Sequence, residues 1–474
     1  MKDRSILKLV ISFLLLIVLV LQLVTPTGCA NIVAPSGGPR DSLPPVLLSL
    51  TPPDSSKNFT GKKIVFQFDE FVELDNPRQN LLISPVPKID PLVESKLRTV
   101  TVTIKDTLQP NVTYSIDFGN AIKDINEGNV FKDFKYIFTT GNYFDSLEIM
   151  GNVIVAETGG IDSTLIVLLH NVLTDSAVIK ERPAYIQRLE PDGRFRFENL
   201  PAGTYAIYAM KDEGGQRRYL SKGQLFAFSD SNINTAASPA PVTLYAYVEK
   251  REEPIASDAV SGNQGGRNKQ GADRLTFSSN TENKELDLLS NLELSFSAKI
   301  RDFDSSKIKL MDEKFENLSG YYFIRDTGNR KITVMYKWVE NTPYNLLFDK
   351  DFITDTADRQ FQRNDTLSFR TKQARAYGEI RMRLLNLDMS KNPVLQFVQS
   401  NQVRYSFPLS TRNFNAKLFQ PGDYDLRILF DDNKNGKWDP GQFFENRHQP
   451  EKVLPIPRKL TVKANWLNEL DITL

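Results

Sequence analysis

Strict alternation of apolar and polar residues, repeated in short runs along most of the chain, limits the fold more than any other feature. Thr99-Val100-Thr101-Val102-Thr103-Ile104 alternates without a break, Ile64, Phe66 and Phe68 fall on one face, and Tyr114, Ile116 and Phe118 repeat the same period. A period of two sends successive side chains to opposite faces of a strand, so each run predicts a half-buried antiparallel strand. Pro, Asp, Asn and Gly turns separate the runs and helix signals are scarce, which predicts an all-β chain of tandem β-sandwich modules, each of roughly 100 residues. Hydrophobic residues at 40% and 30 phenylalanines are enough to fill several such cores.

The first residues bear on compartment. Lys2 and Arg4 precede a run from Leu9 to Val24 that is apolar apart from Ser12 and Gln22. That is the layout of a secretory signal peptide, here spanning residues 1–28. The run is also long enough that an uncleaved helical anchor stays open. The single cysteine follows directly, in Val24-Thr25-Pro26-Thr27-Gly28-Cys29-Ala30. This resembles a bacterial lipobox, with small residues before the cysteine, although Pro26 stands where the family has an aliphatic residue. The resemblance implies acylation of Cys29, a lipid-anchored tether over residues 29–43, and a place in the cell envelope at the outer membrane. With one cysteine no intramolecular disulfide can form, so packing alone must hold the modules.

Residues 44–141 carry an ordered set of signals: Pro44-Pro45, Leu50-Thr51-Pro52, Phe66-Gln67-Phe68-Asp69-Glu70, Asn111-Val112-Thr113-Tyr114, Ile122-Lys123-Asp124 with Gly128-Asn129, and Phe138-Thr139-Thr140-Gly141. They resemble the bacterial Ig-like domain of the S-layer type, which implies a sandwich and assigns no catalytic residue. Residues 142–250 differ. Asp192-Gly193-Arg194-Phe195-Arg196-Phe197 leads into Leu200-Pro201-Ala202-Gly203-Thr204-Tyr205-Ala206-Ile207. This is similar to transthyretin-like or carboxypeptidase-regulatory-like modules; Gly203 is expected to take unusual turn angles while Phe195, Phe197, Tyr205 and Ile207 point inward. Residues 251–273, rich in Gly, Asn, Gln, Arg and Ser, read as a flexible linker.

Beyond it the same signals return in order. Phe68 corresponds to Phe296, Tyr114 to Tyr344, Phe138-Thr139-Thr140 to Phe369-Arg370-Thr371, Gly151 to Gly378, and Gly203 and Tyr205 to Gly422 and Tyr424. Preserved order at near-constant spacing predicts an internal duplication of an Ig-like plus transthyretin-like pair, with a second Ig-like domain at 274–372 and a second transthyretin-like sandwich at 373–474.

Composition narrows the chemistry. Lys+Arg 59 against Asp+Glu 58 gives a net charge of +1 and no electrostatic case for a nucleic-acid partner. The only histidines are His170 and His448, and neither lies in a nucleophile signature, so a histidine-based triad is not expected. Asp69-Glu70 follows a strand in the manner of a solvated loop. Asp431-Asp432-Asn433-Lys434-Asn435-Gly436-Lys437-Trp438-Asp439 has oxygen donors at alternate positions and resembles the first half of an EF-hand-type loop, through Asp431, Asn433, Asn435, Gly436 and Asp439. Gln442 replaces the bidentate Glu at its twelfth position. Two readings stay open, a Ca²⁺ site and a hairpin whose side chains cap their own backbone.

Asp followed by Ser or Thr and then a small or aliphatic residue recurs, placing Ser42, Thr107, Ser146, Ser163, Ser176, Thr356 and Thr366 in like settings. The triplet resembles the O-glycosylation acceptor of Bacteroidetes-type envelope proteins, while turn chemistry favours the same pairs. The chain therefore reads as a non-catalytic envelope lipoprotein, a structural or interaction component whose partners are the membrane and other envelope proteins or glycans. The competing reading is a glycan-binding or glycan-processing protein with Trp438 as its platform, Trp338 and Trp466 serving equally well as core.

Overall fold

The computed structural model describes residues 11–17, 40–132, 134–250 and 274–474. The proposed linker and Cys29 with its lipobox lie outside the described residues, as does most of the apolar run. Residues 11–17 are helical, and among the described residues no helix is long and apolar enough to cross a membrane. Apart from short helical turns such as Pro77–Asn80 and Ala177–Lys180, the elements from residue 40 on are strands in four successive sandwiches, so the fold is all-β with tandem sandwich modules.

The first sandwich uses β1 (Leu47–Thr51), β2 (Lys63–Phe68), β3 (Val72–Leu74), β4 (Leu82–Ser84), β5 (Leu92–Lys96), β6 (Thr99–Thr103), β7 (Thr113–Asp117), β8 (Ile122–Asp124), β9 (Val130–Phe131) and β10 (Lys135–Thr139). They form sheets β1-β2-β6-β5, β10-β7-β4 and β3-β8-β9. The alternation seen in sequence is realised directly: Ile64, Phe66, Phe68, Val100 and Val102 are fully buried, and the threonines between the valines are half-exposed. Phe66 meets Phe118 and Tyr136 edge-on at 4.8 and 5.6 Å between centroids, an arrangement that favours aromatic quadrupoles.

The second sandwich is built from β11 (Leu147–Val155), β12 (Ile166–His170), β13 (Tyr185–Arg188), β14 (Arg194–Leu200), β15 (Thr204–Met210), β16 (Phe226–Phe228), β17 (Ile233–Asn234) and β18 (Val242–Ala246). One sheet runs β14-β11-β18, with β11 and β18 parallel; the other runs β13-β12-β15-β16. Phe195, Phe197, Tyr205 and Ile207 all lie in the core between them. Gly203 does not adopt a left-handed conformation as the sequence suggested. Its reason is proximity, because a Cβ there would stand 3.0 Å from the Tyr205 hydroxyl that packs over it.

The third sandwich comprises β19 (Phe277–Ser279), β20 (Glu285–Leu286), β21 (Leu292–Phe296), β22 (Ile300–Phe303), β23 (Ile308–Met311), β24 (Tyr322–Arg325), β25 (Lys331–Met335), β26 (Pro343–Phe348), β27 (Ile353–Asp355) and β28 (Asp365–Thr371). Its sheets β19-β21-β25-β24, β20-β28-β26-β23 and β22-β27 repeat the order of the first sandwich. The match reaches small features: Ser56 forms a parallel bridge with Phe138, and Glu285 pairs in parallel with Arg370.

The fourth, from β29 (Gly378–Leu385), β30 (Pro393–Gln399), β31 (Gln402–Pro408), β32 (Asn413–Phe419), β33 (Gly422–Phe430), β34 (Lys452–Val462) and β35 (Leu467–Thr473), repeats the second with sheets β32-β29-β35 and β31-β30-β33-β34. Strand register corrects one correspondence. Leu147 pairs with Leu200, and Gly378 pairs with Phe419, each just before a bulge. Leu147 is therefore the counterpart of Gly378, and Gly151, opposite Phe195, is the counterpart of Met382, opposite Phe414. The shared glycine was coincidental; ladder pairing is fixed by which side chains reach the core.

Adjacent sandwiches are tied at their edges. Edge strand β4 meets edge strand β13: the Ser84 hydroxyl donates to Ile186 O at 2.9 Å and accepts from Ile186 N at 3.0 Å, and Val86 N donates to Ala184 O at 2.8 Å. Such contacts cover ladder groups that would otherwise template pairing with another chain. Between the third and fourth sandwiches, Tyr377 donates to Asp287 at 2.9 Å and accepts from Leu288 N.

His170 closes β12 at 1% exposure, edge-on to Tyr208 at 5.6 Å, with no hydrogen-bond partner on Nε2. Burial pushes its pKa down from 6.5 to about 4. A folded pKa below the unfolded one means that the neutral ring's stability is complete above pH 6.5 and is lost as pH falls through about 4. The full difference is about 3 kcal/mol. The counterpart set by strand pairing is Val398. His170→Val should accordingly flatten the loss of stability between pH 6.5 and 4 in urea titrations; an unchanged pH profile would mean that His170 binds its proton equally well in the folded and the unfolded chain.

Candidate functional site

The most elaborate loop in the molecule leaves β33 at Asp431 and returns to β34 at Glu451. Its first part is the segment with alternating oxygen donors. Asp431 is 2% exposed, and its two carboxylate oxygens accept Asn435 N at 3.2 Å and Gly436 N at 2.6 Å. Gly436 takes φ 76°, which lets the chain turn back. Asp439 Oδ2 accepts from the side-chain amides of both Asn433 and Asn435, each at 2.6 Å. The structure therefore brings Asp431, Asn433, Asn435 and Asp439 together around one small turn. As arranged, the amides present nitrogen to Asp439, and a hard cation needs oxygen there, so the residues fit Ca²⁺ only after both amides rotate by about half a turn.

The first half provides a control. Asp212, the counterpart of Asp431, accepts Gln216 N at 2.9 Å and Arg217 N at 3.0 Å, the same fourth and fifth residues onward. Asp326 does likewise with Arg330 N and Lys331 N. Carboxylate capping of a tight loop is thus a general device in this chain and accounts for Asp431 by itself. What distinguishes the second half is the convergence of Asn433 and Asn435 on Asp439.

Sequence reasoning missed Glu451. It is 6% exposed, and its carboxylate accepts Asp432 N at 2.8 Å and Asp439 N at 3.0 Å, while its carbonyl accepts the Trp438 indole N–H at 2.8 Å. Burial, outweighing these backbone hydrogen bonds, pushes its pKa upward, with Asp431 and Asp439 adding to the effect. Glu451 cinches both ends of the Asp431 turn from twelve or more residues away, a distance no loop signature spans. Trp438 is half-buried against Val394, Leu429 and Val453, so one face of its ring is used in packing. Trp338 packs among Tyr336, Tyr344 and Phe369, while Trp466 is 63% exposed and is not core.

The distal part of the loop, residues 440–450, crosses to the other half of the chain. Phe443 is 1% exposed and lies 5.1 Å from Phe226, 5.0 Å from Phe228 and 5.6 Å from Tyr208, all in the second sandwich. Arg447 stacks over Phe228 and Phe443 at 4.6 and 4.9 Å, pairs with Asp175 and donates to Ser229 O.

The remaining sequence candidates are dispersed. Ser42, Thr107, Ser146, Ser163, Thr356 and Thr366 are exposed and Ser176 is half-buried beside Asp175. In several triplets the aspartate serves its own turn, as when Asp106 accepts Thr107 N, Asp162 accepts Thr164 N, Asp355 accepts Ala357 N and Asp365 accepts Thr366 N. Asp69 accepts Val46 N at 2.8 Å and so caps a strand end. Among the described residues no group of three or more His, Cys, Asp or Glu is arranged to hold a metal ion. His448 is exposed and its ring lies 2.7 Å from Asn446 O.

Residues 41–140 match the family model described as a bacterial Ig-like domain. No curated protein matches the chain. Among solved structures, an alpha-2-macroglobulin fragment from Escherichia coli aligns at 14% identity over 39% of this chain and 72% of that chain, with a TM-score of 0.19. The TIE protein of Bacillus anthracis aligns at 10% identity over 93% and 75%, TM-score 0.17, and the major pilin subunit BcpA of Bacillus cereus at 10% over 69% and 99%, TM-score 0.15. At such TM-scores these superpositions carry no weight for fold or function.

Removing the Glu451 carboxylate strands two N–H groups in a buried setting, each worth about 1–3 kcal/mol. Glu451→Ala should lower the denaturation midpoint clearly, and Glu451→Gln, which keeps one acceptor, by less. Equal, negligible losses in both variants would show that water replaces the carboxylate without cost.

Proposed function

We propose that this chain is a non-catalytic structural or interaction component of a bacterial cell envelope, tethered through an acylated Cys29. The observation that carries this reading is the bacterial Ig-like domain at residues 41–140, set in a chain that repeats the same sandwich after residue 273. The polar constellations of the described residues are consistent with it. Asp69, Asp212, Asp326 and Asp355 all direct carboxylate oxygens at backbone N–H groups, which stabilises turns and leaves them committed to structure. The exposed Ser and Thr residues of the Asp-Ser/Thr triplets are then the positions for O-linked glycans, and other envelope proteins or glycans are the partners.

Anchoring is tested by Cys29→Ala, which should move the protein from the membrane fraction to the soluble one. A variant that remains in the membrane at full precursor mass would overturn acylation in favour of a helical anchor. Cross-linking in intact cells identifies the partner class, and a glycan array distinguishes protein from glycan recognition.

Calcium binding by the Asp431 loop is part of the same proposal, supported by the convergence of Asn433 and Asn435 on Asp439. With two carboxylates and no bidentate Glu at the twelfth position, the expected dissociation constant is about 0.1 to 1 mM. Calorimetric titration of the full chain should show one such site, abolished by Asp431→Ala and by Asp439→Ala and untouched by Asp212→Ala. No heat at millimolar Ca²⁺ would leave the loop as a capped turn.

A further inference from the structure

The two halves of the chain meet through surfaces that an isolated sandwich would not carry. In the second sandwich, Leu168, Tyr208, Phe226 and Phe228 face away from its own core and form a separate cluster with Phe443. Four large apolar side chains on the outer face of a sheet would be a costly exposed patch. Val178, Tyr219 and Tyr247 of the same sandwich and Leu82 of the first cover part of this face, and residues 440–450 of the fourth sandwich complete the cover through Phe443.

The opposite surface is adapted as well. On β30 and β33 of the fourth sandwich, Gln396 and Arg427 occupy the places that Leu168 and Tyr208 hold in the second, and both are buried, with Arg427 donating to Gln396 at 3.0 Å. Val453 N at the start of β34 donates to Ala156 O at 3.0 Å, and Lys452 sits 4.3 Å over the ring of Tyr245. Polar contacts ring the aromatic centre: Arg447 with Asp175, and Gln449 with Phe228 O and Asp230 at 3.1 and 2.9 Å. A buried aromatic anchor inside a hydrogen-bonded rim is the anatomy of a stable interface.

We propose that residues 440–450 are a strap that locks the two halves into one closed body without help from the segment that joins them. The contact is then strong enough to persist as a non-covalent complex after residues 251–273 are cut. Phe443 is its central anchor, and Arg447, stacked on two aromatic rings and paired with Asp175, fixes its orientation.

The test places a specific protease site within residues 251–273 of the full chain, cuts it, and follows the fragments by sedimentation from micromolar to nanomolar concentration. The cut wild type should sediment as one species at micromolar concentration. Phe443→Ala should weaken the association roughly 30-fold or more, the scale of a central hot spot, and Phe443→Leu less than Phe443→Ala. Arg447→Ala guards against a folding defect, because Asp175, Ser229 and Phe228 all belong to the other half; it should weaken the association several-fold while circular dichroism of both fragments stays unchanged. Separation of the cut wild type at micromolar concentration would overturn the strap, as would cohesion unaffected by both Phe443→Ala and Arg447→Ala.

Discussion

The outer aromatic face of the second sandwich is the constraint to which the rest of the architecture answers. A sandwich needs only its inner faces to be apolar, yet Tyr208, Phe226 and Phe228 turn outward and are at most 2% exposed. Burying an aromatic side chain is worth a few kcal/mol. Tyr219 and Tyr247 of the same sandwich cover them in part, and Phe443 completes the cover from more than two hundred residues away. The long excursion between β33 and β34 is the means: Asp431 and Glu451 tie its base, and the distal residues are thereby held out as a strap. A row of independent sandwiches would serve as a spacer; contact between the second and fourth instead folds the chain back on itself.

Much of the fold was legible because period-two alternation and pairing are local consequences of a pleated strand. Val100, Val102, Phe66, Tyr114, Phe195 and Tyr205 lie where their spacing predicts. The duplication was also legible, and strand order in both halves bears it out down to the parallel pairing of Ser56 with Phe138 and Glu285 with Arg370. Its weak point was the glycine pair Gly151 and Gly378, matched by identity when the ladder matches Leu147 with Gly378. Residue identity is a poor guide where a single residue type recurs; the hydrogen-bonded register is decisive.

The candidate site was legible only in part, for a physical reason. Asp431, Asn433, Asn435 and Asp439 are neighbours in sequence, so their convergence follows from one turn. Glu451 and Phe443 act across a strand hairpin and across the two halves, and nothing in a linear motif encodes such contacts. A weak signal did exist in the second sandwich: β15, Thr204–Met210, is apolar at nearly every position instead of alternating. A strand buried on both faces reads in this way. The run from Tyr205 to Met210 therefore announced a cover for the outer face, though not its identity.

Divergence between the duplicated sandwiches gives the strongest reason to regard the halves as mutually adapted. Had each pair evolved as an independent unit, the outer faces of the second and fourth sandwiches would be equally polar. They differ instead in complementary ways. The second carries Leu168 and Tyr208 where the fourth carries Gln396 and Arg427, and only the fourth has the long loop that bears Phe443. Arg427 is buried at 8% exposure, which lowers its pKa, and Glu157 of the second sandwich opposes that shift from across the interface. Retaining a buried guanidinium is costly unless something compensates it. Hydrogen bonding to Gln396 compensates it from within the fourth sandwich, whereas the field of Glu157 does so only while the halves are together, so separation would alter the electrostatics of the fourth sandwich as well as expose part of the aromatic face of the second.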